Sequence, residues 1–234
     1  YVVFVLKFGP SGNVVNAFQI GSSNAEMGYG IGLDGNGGLY VTGYFAGSAL
    51  TIGTTTLVSY GQEDGFIAKF DTSGTFIWAR NFGGINKDKG MAIDVDVNGN
   101  FVVTGVFNSP LLNFGSLQVV NPAPSTLDQY FIVRYDPNGN AVWGVADGSP
   151  SMDFGYAAAI DNSGNSFIAG AVDQGTALQL FVSKYDITGN LIWTRLATGN
   201  GNNRAYGMDV DANGNVIITG EFNGTTFTIG GQTL

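Results

Sequence analysis

The sequence predicts an all-β fold, a β-propeller of four-stranded antiparallel blades with four repeats present. Three observations carry this expectation: two sequence patterns that alternate four times, one constant length for each pair of patterns, and a composition dominated by turn residues. The chain has 234 residues, 37 of them glycine, roughly double the usual share. Disorder does not explain the excess. Hydrophobic residues make up 44% of the chain and aromatic residues 13%, more apolar surface than a disordered chain carries.

The first pattern reads FVLKFGPSGNVVN from Phe4, FIAKFDTSGTFIW from Phe66, FIVRYDPNGNAVW from Phe131 and FVSKYDITGNLIW from Phe181. The second reads YGIGLDGNGGLYVTGYF from Tyr29, MAIDVDVNGNFVVTGVF from Met91, YAAAIDNSGNSFIAGAV from Tyr156 and YGMDVDANGNVIITGEF from Tyr206. Together they form units of 42 residues at 4–45, 66–107, 131–172 and 181–222. The connectors 46–65, 108–130 and 173–180 have 20, 23 and 8 residues. Constant length marks the packed element, and variable length marks surface loop.

Each pattern reads as a hairpin. Phe66, Ala68 and Phe70 alternate with Ile67 and Lys69, Asp71-Thr72-Ser73-Gly74 supplies a turn, and Phe76-Ile77-Trp78 resumes a β-rich run. In the second pattern Ile93 and Val95 lead into Asn98-Gly99-Asn100, and the chain returns through Phe101 to Thr104. Asn-Gly between apolar runs is the strongest short hairpin signal. Small residues at Gly30, Gly32, Ala92, Ala157, Ala158, Ala159 and Gly207 place the strand before the repeated aspartate innermost, beside a crowded axis. The connector then falls between the second and third strands of a blade. The chain, read as a single domain over 1–234, begins with the outer half of a blade and ends after the inner half of another. The expectation is a split blade completed by the N- and C-terminal strands, with no exposed sheet edge; an excised run of a larger propeller would show the same phase. A start at Tyr1 matches neither an initiator methionine nor a signal peptide, so the chain reads as a mature or excised piece.

At these residues the sequence resembles the bacterial SBBP-type β-propeller repeats. FVSKYDITGNLIW and AIDVDVNGNFVVTGVF carry the resemblance, which covers all four units; the first unit departs from it, with Gly9 in place of the aspartate and Asn16 in place of the tryptophan. The resemblance implies large secreted or surface-attached bacterial proteins, often multidomain, without a common catalytic site. The expected function is a non-catalytic extracellular or cell-surface binding or scaffold module of a larger secreted protein. Two alternatives stand beside it: a glycan-acting enzyme using paired carboxylates, and a calcium-stabilised adhesive module.

Composition narrows the chemistry. The chain has no histidine and no cysteine, which excludes Ser-His-Asp and Cys-His catalysis and zinc-finger ligation. A net charge of −9 opposes binding to nucleic-acid phosphates, and no segment approaches the length of an apolar membrane span. No catalytic residue and no cofactor is nominated, and no binding residue is assigned.

Four groups of residues compete for functional and structural readings. Asp94-Asp96-Asn98 and Asp209-Asp211-Asn213 begin like calcium loops, but the twelfth position, where an EF-hand needs a glutamate, is Gly105 or Gly220. Turn capping explains them better, and no metal site is assigned. The runs from Asp71 to Trp78, Asp136 to Trp143 and Asp186 to Trp193 resemble the tryptophan-docking turns of quinoprotein propellers and the Asp-box of sialidases, and read as blade packing. Lys7, Lys69, Arg134 and Lys184 share one repeat position; each of the last three has an aspartate two residues on, Asp71, Asp136 and Asp186, and the four read as members of ion pairs between strands or blades, with a functional ring of cations around one face as the alternative. The acids outside the turns are Glu26, Glu63, Asp64, Asp88, Asp128, Asp153 and Glu221, from which a carboxylate pair across a channel could be drawn. The connectors carry a looser repeat, LTIGTTTL from Leu50, LNFGSLQV from Leu112 and FTIGGQTL from Phe227. A loop that only covers a blade edge is the plainer reading of these connectors, and a polar hairpin that binds a protein or glycan at connectors 46–65 and 108–130 stands beside it.

Overall fold

The computed structural model describes residues 1–21, 25–122 and 127–234. Every regular element among them is a β-strand. β1 (Val3–Phe8) and β2 (Val14–Ile20) form a two-stranded sheet. A four-stranded sheet follows, made in spatial order by β3 (Glu26–Leu33) and β4 (Leu39–Ala46) and, after the connector hairpin β5 (Ala49–Ile52) and β6 (Thr55–Val58), by β7 (Glu63–Phe70) and β8 (Phe76–Phe82). The second sheet repeats this plan with β9 (Asp88–Val95), β10 (Phe101–Phe107), the hairpin β11 (Leu111–Phe114) and β12 (Leu117–Val120), then β13 (Gln129–Tyr135) and β14 (Ala141–Asp147). The third has no connector hairpin and runs β15 (Phe154–Ile160), β16 (Ser166–Asp173), β17 (Leu178–Tyr185), β18 (Leu191–Leu196). Last come β19 (Thr198–Gly199), the pair β20 (Asn203–Val210) and β21 (Val216–Phe222), and the hairpin β22 (Phe227–Ile229) and β23 (Gln232–Thr233), with β19 joining β22.

This is the predicted strand order, with the connector between second and third strands. The inner strands β3, β9, β15 and β20 pack each on the next, and an apolar cluster fills each space between neighbouring sheets. One such cluster joins Tyr40, Ile67 and Phe82 to Phe101, Phe107 and Phe131. Another joins Ile132 and Trp143 to Ile168, Phe181 and Tyr185. The recurring glycine of the second strand has a steric cause. Gly43, Gly105, Gly170 and Gly220 face a register shift in the inner strand, where a Cβ would collide with the carbonyl oxygen of Met27, Lys89, Phe154 or Arg204. A bulge that brings backbone this close leaves room only for glycine.

The expected blade uniting the two termini is not among the described sheets: β1–β2 and β20–β21 are separate pairs. β1 packs against β3 as β7 does against β9 and β17 against β20. It is thus the outer half of a sheet ahead of the first unit. β20–β21 is the inner half of a sheet behind the third, and the two halves lie in separate sheets.

Candidate functional site at the connector face

Seven of the turn aspartates are committed to their own turns. Asp96 Oδ1 accepts from the backbone N–H of Asn98 and Asn100, both at 2.9 Å, and its Oδ2 accepts from Asn100 Nδ2 at 2.8 Å. Asp211, Asp161, Asp136 and Asp186 repeat this arrangement. Asp34 and Asp71 keep its two backbone bonds. These are Asx turns, and the glycine of each lies at positive φ, as at Gly99 (83°) and Gly214 (81°). Asp94 does not join Asp96 on a common centre. Its Oδ2 accepts from Ile160 N–H on the next sheet at 2.8 Å.

The tryptophans dock between sheets. The Trp78 ring lies under Gly139 and the Trp143 ring under Gly189, each a turn glycine of the following sheet, and Trp143 Nε1 donates to Ile187 O at 3.0 Å. In the first unit Asn16 takes this place and donates to Ser73 O. Three of the four cations at the shared repeat position form ion pairs, with aspartates other than those two residues on, while Lys7 donates to Thr72 O at 2.9 Å. Lys69 pairs with Asp34 at 3.3 Å, Arg134 with Asp96 at 3.8 Å and Lys184 with Asp161 at 3.2 Å. Each links the third strand to the turn between the first two.

The acids outside the turns divide by burial. Asp64, Asp88 and Asp153 are buried and organise loops. Asp64 accepts from Ser59 Oγ and the Tyr60 and Gly61 N–H groups; Asp88 accepts from Gly84 N–H and from Ser109; Asp153 accepts from Ser149 and from Asp173 N–H. Burial pushes Asp88 up to about 6 and raises Asp64 and Asp153. Glu26 is also buried, and Asp128 accepts from Asn108 Nδ2 at 3.1 Å. Glu63 and Glu221 instead lie at the face where the inner strands begin and the connectors depart.

That face carries an aromatic group that the sequence reading passed over. Tyr29, Tyr156 and Tyr206 occupy one repeat position, shared in the second unit by Met91; the recurrence itself was the available signal. Tyr29 stacks on Tyr44 at 6.0 Å between centroids, Tyr156 on Phe154 at 5.5 Å, and Tyr156 meets Tyr206 at 5.3 Å. Charges are fixed around them. Lys89 Nζ sits 4.4 Å above the Tyr44 ring centroid and 2.8 Å from Glu63, which Lys87 also approaches at 3.7 Å. Across the face, Glu221 accepts from Arg204 at 2.7 Å and from the Tyr206 hydroxyl at 2.9 Å. These two bonds, that from Arg204 first, hold its carboxyl below the ordinary range. Burial pushes the Tyr156 hydroxyl up to about 12, so the tyrosine stays neutral. Tyr29 and Tyr206 remain 46% and 49% exposed, which leaves flat apolar faces with polar tips beside fixed charges.

The connector hairpins lie elsewhere. One face of each is buried: Leu50, Ile52 and Leu57 join a core cluster, as do Leu112, Phe114 and Val119. β6 packs along β8 and β12 along β14, so both hairpins cover outer strands. Part of connector 108–130, residues 123–126, lies outside the described residues.

Taken together, the architecture defines an all-β repeat protein of four-stranded antiparallel sheets in propeller-like succession. Residues 18–44 match the family model of the SBBP β-propeller repeat. The chain is similar to an uncharacterised WD repeat-containing protein of Acanthamoeba polyphaga mimivirus, 29% identical over 117 residues that cover 47% of this chain and 8% of that protein. It is also similar to the regulatory protein FlaEY of Caulobacter vibrioides, 26% identical over 110 residues that cover 47% of this chain and 12% of that protein. The chain thus matches only a small part of these much longer relatives.

Proposed function

We propose that this chain is an arc of propeller blades acting as a non-catalytic binding module, extracellular or at the cell surface, within a larger bacterial protein. Its ligand is a glycan received on the connector face. The observation that carries this reading is the trio Tyr29, Tyr156 and Tyr206 at one repeat position, with Tyr29 and Tyr206 held half-exposed by aromatic or charged neighbours. Tyrosine offers a rigid apolar face for the C–H side of a sugar and a hydroxyl for its edge, at little cost in side-chain entropy. The acids support binding over hydrolysis, since Glu63 and Glu221 are each tied to basic side chains. The turn bonds of Asp96 and Asp211 likewise support a structural role over calcium ligation.

The test is titration of the labelled protein with a panel of neutral and acidic oligosaccharides, followed by NMR. Shifts confined to the connector face are expected, lost in Tyr29→Ala and Tyr206→Ala while the rest of the spectrum is kept. Binding that survives both substitutions, or release of reducing sugar that depends on Glu63 or Glu221, rejects the reading.

A further inference from the structure

We infer that the junction between the second and third sheets, at its connector end, is a docking site for an extended peptide segment of a partner protein that carries a lysine or arginine.

The preceding junction shows what such a seat holds. The connector hairpin β11–β12 lies across the gap between the first and second sheets, touching β8 of one and β14 of the other. Its Phe114 seats between Phe82 and Phe131, at 5.2 and 5.5 Å between ring centroids. Asn113 adds two main-chain bonds with Gly83, of 2.9 and 3.2 Å. The third sheet has no such hairpin, because connector 173–180 is only 8 residues long. The same seat therefore stays open between two complete four-stranded sheets.

A cleft of about 230 Å³ marks it, lined by Tyr130, Asp147, Val172, Phe181 and Leu196. That is below the roughly 300–1,000 Å³ of a pocket enclosing a whole small ligand, and suits one long side chain. The outer strand has also changed where a hairpin lies elsewhere. Ala79 and Gly144 are replaced at this repeat position by Thr194, and Asn81 and Ala146 by Leu196. At Gly144 even a Cβ would crowd Leu117 and Val119 of β12, so Thr194 admits no second strand of that kind. Ala146 packs into the cluster around Phe114, whereas Leu196 is 40% exposed. The seat thus takes a single strand.

Charge selects the side chain. β7 and β8 pair Gly65 with Phe82, and β13 and β14 pair Tyr130 with Asp147 at the same repeat positions. The aromatic ring has moved to the third strand, where Tyr130 stacks on Phe181 at 4.5 Å. A carboxylate now stands where Phe82 meets Phe114 in the preceding junction. Among the described residues that line the cleft, Asp147 is the one charged group. It is exposed and forms no ion pair with any of the described residues. A lysine or arginine can lay its apolar stem along Tyr130 and Leu196 and bring its charge to Asp147. Gly148, the counterpart of Gly83, offers the main-chain contact. Its N–H is taken by Asp147 Oδ1 at 2.8 Å, while its carbonyl accepts no bond among the described residues. A strand laid here in the manner of β11 supplies the donor.

The probe is a synthetic peptide of residues 108–115 of this chain, which include β11, with Phe114→Lys and both ends blocked. Titrated into the 234-residue protein, it is expected to shift the amide NMR signals of Tyr130, Asp147, Gly148 and Leu196 and to leave the other junctions in place. Asp147→Asn, at an exposed position, is expected to weaken binding about tenfold, the scale of a hydrogen bond to a charged group. The peptide that keeps its phenylalanine is expected to bind as weakly. Asp147→Lys combined with a Phe114→Glu peptide is expected to restore affinity. Equal affinity in all these pairings overturns the inference, as do shifts confined to other places or none at millimolar peptide. Shifts of the same signals by a neutral oligosaccharide, with none from the peptide, assign the cleft to a sugar and equally overturn it.

Discussion

Lys184 Nζ lies 3.2 Å from Asp161 Oδ2, spanning from the third strand of its sheet to the turn that joins the first two. The same bracket recurs at Lys69 and Asp34 and at Arg134 and Asp96. It ties the two hairpins of one sheet together at the end away from the connectors. The carboxylate it uses is already oriented by turn N–H groups, so the cation meets a preformed acceptor.

Arg134 is the most demanding of the three. It is buried, and besides Asp96 it serves Gly164 O at 2.7 Å and Ser166 Oγ at 3.3 Å. Arg134→Met is expected to lower unfolding free energy by ~3 kcal/mol, the scale for removing one partner of a buried pair. Arg134→Lys recovers only part of this, because one ammonium cannot reproduce the guanidinium fork. Urea denaturation of the three proteins measures both effects.

The stability profile with pH follows from burial. The folded protein holds the Asp88 proton more tightly than the unfolded chain does, with burial pushing the carboxyl up to about 6 from its ordinary 3.8. Ionisation therefore opposes the fold. Stability is expected to fall by roughly 3 kcal/mol as pH rises from about 4 to about 6, and to level off above that. Asp64 and Asp153 act in the same direction. The turn aspartates Asp34, Asp136 and Asp161 are held low, so their contribution is lost only as pH falls below about 4. A maximum near pH 4 results. Asp88→Asn is expected to flatten the upper limb, as the neutral Asn203 at the same repeat position indicates; thermal melts from pH 3 to 8 read the change.

Glycines at positive φ separate by what surrounds them. Gly189 has φ of 90° and presses on the Trp143 ring, whereas Gly115 has φ of 75° with nothing near its Cα face. Gly115→Ala is expected to cost ~1 kcal/mol, the left-handed penalty alone. Gly189→Ala adds displacement of the indole and is expected to cost ~3 kcal/mol. Trp143 fluorescence reports the displacement directly.

The connector hairpins are expected to behave as core. Leu112 is fully buried against Phe114 and Val119, and Leu112→Ala should lose ~3 kcal/mol. Thr51→Ala, on the exposed side of the other hairpin, should change stability by less than ~0.5 kcal/mol. Equal effects at the two positions would contradict the covering role.

Strand order, connector position and tryptophan docking were legible in the sequence because each depends on local turn chemistry repeated at constant spacing. The partner of each cation was not. Asp71, Asp136 and Asp186 lie two residues beyond the cations along the chain, but strand pairing brings Asp34, Asp96 and Asp161 closer. The fate of the terminal half-sheets was not legible either: β1–β2 and β20–β21 carry complementary patterns yet lie in separate sheets. The aromatic group was visible as a recurring tyrosine, yet only the fold shows that Tyr29, Tyr156 and Tyr206 share a face with Glu63 and Glu221.

The seating of Trp78 under Gly139 and of Trp143 under Gly189 also constrains how such a chain can change length. A single residue inserted between Asp136 and Trp143 would lift the indole off its glycine and shift every later side chain of that strand to the opposite face. A whole unit added or removed leaves an intact dock at each junction. Growth by complete duplication is therefore mechanically neutral for the neighbours, while the connectors, which take no part in the dock, are free to lose an entire hairpin as 173–180 has done.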